Sequence, residues 1–333
     1  MTAPRFDVAG IGNAIVDIIG RCDDAFLERF GAAKGGMRLV DTDALMALYT
    51  AMGPGIEISG GSAANTIAGI ASLGGSASFI GKIGDDEFGR IFAHDIAAQG
   101  VAFQSRPVAG GQTSRSLILV TPDGERTMNT FLGISTAFEE ADLDADVIAS
   151  AGIVYLEGYL FDAPPGKAAF RRAVEIARGA GRKVALTLSD AFCVDRHRDE
   201  FLEFMRSGVD IVFANESELV SLYQGADFDA AAAQIGAEVP LAVLTRSAKG
   251  CVVVAGPSRE AVPAHHVDHV VDTTGAGDLF AAGFLFGAAR GLPNATSARL
   301  GAMAAAEIIS HIGARPEANL AALAREAGFV VTG

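Results

Sequence analysis

The sequence predicts an α/β protein with a doubly wound, mostly parallel sheet and a small β-rich lid. From about Ile153 onward, segments with strand character alternate with segments of helical length, beginning with IVYLEGYLF and the amphipathic stretch 167–179. Such alternation is typical of parallel strands joined by right-handed helical crossovers. The segment 101–131 differs, because two β segments there flank a Pro-Asp-Gly turn at 122–124. A small β element inserted into an α/β chain often covers a site.

The size and charge of the chain limit its function. Its 333 residues are 50% hydrophobic and 20% charged, which is enough for one large core, so we expect a single domain over residues 1–333. The formal net charge of −14 argues against non-specific binding of nucleic acid. A locally basic phosphate site remains compatible with that charge.

The cysteines and the apolar runs indicate a cytoplasmic protein. Cys22, Cys193 and Cys251 lie far apart and form no CxxC pair, which is typical of a reducing compartment. The N-terminal MTAPRFDVAG lacks the pattern of a secretion signal. The apolar run 279–289 is too short to cross a bilayer, so we expect no membrane partner.

The N-terminal segment 6–19 reads FDVAGIGNAIVDII, which suggests a strand leading into a glycine bend. A dinucleotide-binding fingerprint would need a third glycine where Ile15 stands, and this argues against an oxidoreductase. Asp17 lies within an apolar run, where a buried carboxylate needs a partner such as a pair of ligand hydroxyls. The alternative is that Asp17 lies on the solvent face of an alternating strand.

Two further segments contain candidate ligand-binding groups. Gly60 and Gly61 form a bend before a predicted helix that begins at Ser62, which either brings polar groups to a ligand or only allows tight packing. Arg115 and Arg126 flank the predicted hairpin, as part of a lid or as solvated residues of an edge hairpin.

Polar turns follow two strands in the second half of the chain. Asn215 and Glu218 begin a helix, where they could hold a hydrated Mg²⁺ or form a capping box. Thr245, Arg246 and Gly250 lie in a partly basic turn that could hold phosphates or simply join two strands.

The segment 270–289, VVDTTGAGDLFAAGFLFGAA, predicts a strand end, a turn of small residues and the start of a helix. Gly275 and Gly277 allow close backbone approach, and free N–H groups at a helix N-terminus attract an anion. Asp278 would stand beside that anion. It could take a proton from a hydroxyl that attacks phosphorus, or it could cap the helix.

Three other patterns are weighed against known motifs. His265, His266 and His269 suggest outward residues of a strand rather than a zinc site, since apolar alternation continues through Val270. No Gly-x-x-x-x-Gly-Lys-Ser/Thr occurs, which excludes a P-loop enzyme. The triplet at 197–199 resembles a protein-kinase motif, but Phe204 replaces its asparagine and no DFG is present.

DTTGAGD with its following helix, together with the upstream GGSAAN, resembles the ribokinase/PfkB family of carbohydrate and nucleoside kinases over nearly the whole chain. Within that family GIGNAIVDI, SGGSAANTI, LTLSDAF and VDIVFANESE are similar to segments of adenosine kinases. The resemblance implies a ribokinase-like fold with the lid at about 20–40 and 101–131. It also implies transfer of the γ-phosphate of ATP to a ribose 5′-hydroxyl.

The resemblance also implies roles for individual residues. Asp278 would be the base, and Arg126 a lid arginine that reaches the transferring phosphate. The anion hole would be formed by the N–H groups of Gly275, Ala276 and Gly277. The residues implied to hold ribose are Asn13, Asp17, Gly61, Ser62 and Asn65, with Met37 and Tyr159 near the base. Those implied to border ATP are Asn215, Thr245, Arg246, Gly250 and Thr273, with Glu218 contacting Mg²⁺ through water.

We therefore expect an ATP- and Mg²⁺-dependent kinase of a small hydroxyl-bearing substrate, with adenosine first among the acceptors. Guanosine, inosine, ribose and fructose stay open as acceptors, as does a need for a monovalent cation. A non-catalytic nucleoside- or sugar-binding module on the same fold is the alternative. The expected partners are small molecules, and the expected assembly is a monomer or a homodimer.

Overall fold

The structure, a computed structural model, describes residues 3–329. These residues form two sheets. The strands are β1 Phe6–Ile11, β2 Ile15–Arg21, β3 Met37–Leu39, β4 Gly55–Gly60, β5 Ala77–Ile80, β6 Ala102–Phe103, β7 Ser114–Val120, β8 Arg126–Phe131, β9 Ala151–Glu157, β10 Lys183–Thr187, β11 Ile211–Asn215, β12 Leu241–Thr245, β13 Cys251–Ala255 and β14 Ser258–Val262.

The helices lie mainly between the strands of the larger sheet. They are α1 Asp24–Arg29, α2 Thr42–Ala51, α3 Ser62–Ser72, α4 Glu87–Ala98, α5 Ala145–Ser150, α6 Pro164–Gly179, α7 Ala191–Gly208, α8 Glu216–Leu222, α9 Phe228–Glu238, α10 Ala276–Ala289, α11 Asn294–Ile308 and α12 Leu320–Glu326.

The larger sheet has the strand order β14-β13-β12-β11-β10-β9-β1-β5-β6. Its strands from β12 to β6 pair in parallel, and β13 and β14 add an antiparallel edge. Neighbouring residues of β9 point into two different hydrophobic cores. Tyr155 lies in the same core as Phe284 of α10, and Val154 lies in the same core as Phe170 of α6. Helices therefore cover both faces, which confirms the predicted doubly wound, mostly parallel sheet.

The smaller sheet has the order β3-β8-β7-β2-β4 and mixes parallel and antiparallel pairs. It draws on parts of the expected lid ranges 20–40 and 101–131, and also on β2 and β4, which lie largely or wholly outside them. The short strand β6, at 102–103, belongs to the larger sheet. One face of the smaller sheet packs on core residues that include Leu45 of α2.

The predicted strand before the DTTGAGD turn is wrong. Residues 263–275 form no strand, and Val270 and Val271 are 60% and 47% exposed. The stretch does not pair with the edge strand β14, and the N–H of Val271 instead donates to the carbonyl of Ile309. His265, His266 and His269 are exposed as expected, but they do not lie on a strand.

Two long helices begin at residues suited to a helix start. Helix α7 begins at Ala191 because the carboxylate of Asp190 accepts from the N–H of Cys193. That helix is kinked at His197, whose φ is −128°. Helix α6 begins with Pro164, a residue suited to the first helical turn.

Within residues 3–329, no helix is both long and apolar enough to cross a membrane. In the same range, no group of three or more His, Cys, Asp or Glu side chains is arranged to hold a metal ion.

Candidate active site

The DTTGAGD turn opens the long helix α10 with free backbone donors. Gly275 is the N-cap residue in the left-handed region, with φ of 77°, and a Cβ there would lie 3.0 Å from Ala314. Among the described residues, the N–H groups of Gly275, Gly277 and Asp278 find no acceptor, whereas that of Ala276 donates to Thr273. A Cβ at Gly277 would meet nothing within 4 Å. The helix N-terminus is therefore open to an anion.

The side chain of Asp278 does not cap its own helix. Its Oδ1 accepts from the hydroxyl of Ser62 at 2.6 Å, and its Oδ2 accepts from the amide of Asn65 at 2.9 Å. Burial raises the pKa of Asp278, while these two hydrogen bonds and the charge of Arg315 lower it. The carboxylate is thus held in place beside the free N–H groups, as a proton acceptor requires.

Helix α3 presents Ser62 and Asn65 because of the glycine bend before it. Gly61 has φ of 92°, and a Cβ there would come within 2.4 Å of the carbonyl of Asn13. A Cβ at Gly60 would collide with the carboxylate of Asp17. The two glycines therefore let β4 and the start of α3 lie directly against the residues predicted to hold ribose.

Asp17 lies on the face of the smaller sheet that is turned away from its core contacts. In register, Asp17 pairs with Ile58 of β4 and with Ser116 of β7, and Ser116 pairs with Thr130 of β8. Among the described residues no hydrogen bond reaches the Asp17 carboxylate, and burial raises its pKa to about 7, against the charges of Arg315 and Arg126. This partly buried acid is free to accept ligand hydroxyls.

Arg126 joins the smaller sheet to the turn. Its Nη1 makes an ion pair with Oδ2 of Asp272, and its side chain is only 8% exposed. The carboxylate of Asp272 also accepts from the N–H groups of Thr274 and Gly313. Among residues 3–329, Nε and Nη2 of Arg126 have no hydrogen-bond partner, so these two nitrogens remain as donors for an anion at the turn.

Glu157, at the end of β9, is a site residue that our sequence reasoning missed. It is fully buried and accepts hydrogen bonds from the backbone and amide of Asn13 and from the N–H of Ala63. Burial raises its pKa to about 7. The available signal was a single acid at the end of the apolar strand IVYLE. Glu157 fixes Asn13 relative to the start of α3.

The turns after β11 and β12 form a second cluster, in which Asn215 and Thr245 are register partners. Asn215 and Glu218 make a complete capping box, so both Glu218 oxygens already accept hydrogen bonds from Asn215. Arg246 makes two hydrogen bonds to Glu216 and lies over the ring of Phe228. Direct ligation of a metal by Glu218 does not fit this geometry, whereas contact through a water leaves the cap intact.

Four other residues with predicted roles occupy different kinds of position. Tyr159 follows β9 and donates its hydroxyl proton to the carbonyl of Ser189. Met37 pairs with Met128 at the edge of the smaller sheet and is 44% exposed. Thr273 is exposed in the turn. Gly250 has φ of 80°, and a Cβ there would collide with the carbonyl of Val262, so its glycine serves the backbone.

The structure thus joins the residues predicted for the acceptor and for catalysis into one site. Ser62 and Asn65 touch Asp278 directly, and Asn13 reaches the same helix start through Glu157. The second cluster lies near enough that the charge of Asp278 helps to raise the pKa of Glu218, which burial chiefly raises to about 7. No described contact joins Met37 or Thr273 to Asp278.

Comparison with known proteins places the chain in a family. The sequence profile of the pfkB family carbohydrate kinases matches residues 57–320. The chain is 53% identical to the structure of adenosine kinase from Sinorhizobium meliloti, with a TM-score of 0.92 over 97% of this chain and 99% of that one. It is 50% identical to a probable sugar kinase from Rhizobium etli, with a TM-score of 0.93 over 98% and 99%.

A plant relative carries a different name. Probable fructokinase-6, chloroplastic, from Arabidopsis thaliana is 31% identical over 278 residues, which are 79% of this chain and 68% of the relative. The profile match and these relatives agree with the resemblance in the motifs. The protein belongs to the PfkB family of carbohydrate kinases.

Proposed function

We propose that this kinase transfers the γ-phosphate of ATP to the 5′-hydroxyl of a nucleoside, with adenosine as the preferred acceptor. The observation that carries the proposal is the position of Asp278, held by Ser62 and Asn65 beside the free N–H groups of the turn. A base beside an anion hole is what phosphoryl transfer to a hydroxyl requires.

In the proposed reaction, the oxygen of the acceptor hydroxyl bonds to the γ-phosphorus, and the bond from that phosphorus to ADP breaks. Asp278 accepts the proton that the hydroxyl loses. The N–H groups of Gly275 and Gly277, with Arg126, stabilise the charge on the transferring group. Mg²⁺ bound with ATP supplies further charge neutralisation. The smaller sheet, acting as a lid, excludes water from the reaction.

A groove that begins two strands away from Asp17 in the smaller sheet supports a nucleoside over a free sugar. Asp17, Ser116, Thr130 and Leu39 are successive register partners across β2, β7, β8 and β3. Thr130 and Leu39 line an open groove of about 500 Å³. Leu39, 55% exposed, gives this groove an apolar wall together with Phe131, Leu132 and Ile134. A free sugar would leave this apolar wall unused, whereas a purine base could pack against it.

The family resemblance to fructokinases favours one second candidate, a sugar acceptor. A binding module without catalysis is less consistent with an Asp278 that is aimed at an open anion site. The cytoplasmic location, the monomer-or-homodimer state and the requirement for a monovalent cation stay predictions.

A panel of acceptors tests the proposal. Release of ADP is measured with adenosine, guanosine, inosine, ribose and fructose at saturating MgATP, and without an acceptor. We expect the highest kcat/KM with adenosine and negligible ADP release without an acceptor. A free sugar that exceeds every nucleoside would contradict the nucleoside assignment, and tight adenosine binding without ADP release would support the binding module.

A further inference from the structure

Arg315 is a buried arginine in the segment after α11, and no motif in the sequence singles it out. It is 8% exposed, and all of its donor nitrogens are engaged. Its Nε donates to the carbonyl of Ser59 at 2.9 Å, its Nη2 to the hydroxyl of Ser59 at 2.9 Å, and its Nη1 to the carbonyl of Ala64 at 2.6 Å. One side chain therefore joins the end of β4 to the first turn of α3.

That junction carries the residues that hold the reacting groups. Ala64 precedes Asn65, the amide donor to Asp278, and Ser59 precedes the glycine bend against which Asp17 lies. The same segment also contacts the turn, because the N–H of Gly313 donates to Asp272 and Ala314 lies against Gly275. Residues 313–315 thus touch both elements between which the acceptor hydroxyl would sit.

Three carboxylates lie near enough for their charges to act on the guanidinium. Asp95 of α4 accepts from the N–H and hydroxyl of Ser59, and its charge acts on Arg315 together with those of Asp17 and Asp278. Burial lowers the pKa of Arg315 to about 10, which leaves it charged at neutral pH. Its positive charge lowers the pKa of both Asp17 and Asp278, which burial raises.

We propose that Arg315 is a positioning residue for phosphoryl transfer, which fixes the start of α3 and places a buried positive charge that favours the ionised form of the Asp278 carboxylate. The proposal rests on the proposed function, in which Asp278 is the base. The fork geometry of arginine supplies the first role, since three acceptors are reached from one planar group. The charge supplies the second, since a buried carboxylate without a nearby cation prefers its neutral form. A neutral Asp278 has no capacity to take the hydroxyl proton.

The test is the pH profile of kcat/KM, measured by ADP release with the best acceptor of the panel. In Arg315→Met the acid limb is expected to move to higher pH by about one unit, because the compensating charge is gone. Arg315→Lys keeps the positive charge but loses the planar guanidinium that reaches several acceptors. The acid limb of its kcat/KM profile is therefore expected to stay near that of the wild type, while its KM for the acceptor rises several-fold.

The matched control is Arg290→Met. Arg290 is also a largely buried arginine, which pairs with Asp7 and lies over Phe286 at the far end of α10. Its loss is expected to lower the melting temperature without moving the acid limb. An acid limb of Arg315→Met that coincides with those of the wild type and Arg290→Met would overturn the proposal. If Arg315→Met does not fold, the pH profile of Asp95→Asn is measured instead. This variant removes a carboxylate that competes for the charge of Arg315. An acid limb of its kcat/KM profile that moves to higher pH would contradict the proposal.

A second measurement separates this inference from the proposed function. If the wild type releases no ADP with any acceptor, the function fails, and melting temperatures at pH 5 and pH 8 then test Arg315 alone. Carboxyl groups whose pKa is raised in the fold make stability fall as pH rises through that interval. The fall is expected to be larger in Arg315→Met than in Arg290→Met, and equal falls would refute the role of the charge.

Discussion

The hydroxyl of Ser62 donates to the carboxylate of Asp278 at 2.6 Å, although the two residues are 216 positions apart in the chain. With Asn65 it ties the first turn of α3 to the first turn of α10. Both helices pack on the same face of the larger sheet, in one hydrophobic core. The acceptor-holding residues and the base are therefore positioned by the rigid part of the molecule.

Removal of the Asn65 amide should impair the base more than the fold. A hydrogen bond to a charged group contributes about 1.5–3 kcal/mol, so Asn65→Ala is expected to lower kcat/KM by about tenfold to a hundredfold. Thr66→Val is the control, because the Thr66 hydroxyl donates to backbone carbonyls and not to the Asp278 carboxylate. Equal losses of kcat/KM in the two variants would argue against a specific role for the amide.

The arginines of β7 and β8 are expected to behave differently. Arg126 pairs with Asp272 at the turn, so Arg126→Met should lower kcat by on the order of a hundredfold, as loss of an anion-hole donor does. Arg115 is also buried, but its guanidinium lies over the rings of Phe88 and Phe131, and within the described part of the chain its side chain hydrogen-bonds only to Gln112. Arg115→Met should lower the melting temperature and leave kcat within a few-fold of the wild type. A reversed pattern in steady-state kinetics would show that the wrong arginine faces the phosphate.

Glu157 should make the stability of the protein depend on pH. A glutamate in the unfolded chain has a pKa of about 4.3, whereas burial raises the pKa of Glu157 in the fold to about 7. The folded state thus binds the extra proton, and the stability contributed by this group is present below about pH 4 and is lost as pH rises to about 7. Glu157→Gln should melt at a lower temperature, because Asn13 and Ala63 lose an acceptor, but its melting temperature should fall less between pH 5 and pH 8.

The control for this prediction is Glu175→Gln, on the exposed side of α6, where the glutamate pairs only with Arg172. It should reproduce the pH dependence of the wild type. A fall in Glu157→Gln that equals or exceeds that of this control would contradict a raised pKa of the acid at position 157.

The features that follow from local pattern were predictable from the sequence. The alternation of strand and helix after Ile153 predicts the larger sheet, and the glycines at 60–61 and 275 mark bends that open two helices. The apolar pair Val270 and Val271 led to a wrong strand, because local pattern does not reveal that the sheet has already ended at β14.

The site residues that were missed depend on contacts between distant segments. Arg315 bonds to Ser59 and Ala64, which precede it by 256 and 251 positions, and nothing around it in the sequence signals them. Glu157 accepts from Asn13 across 144 positions. Such partners are set by tertiary packing, so one sequence read along its length does not disclose them.

The turnover of Asp278→Asn tests the central claim most directly. Asparagine keeps the size of the side chain and can still bond to Ser62, but it has no capacity to accept the hydroxyl proton. We predict that kcat for ADP release with adenosine falls by about a hundredfold or more, as loss of a general base does, while the melting temperature stays close to that of the wild type. A folded Asp278→Asn variant with near-normal kcat would contradict the claim that Asp278 is the base of this kinase.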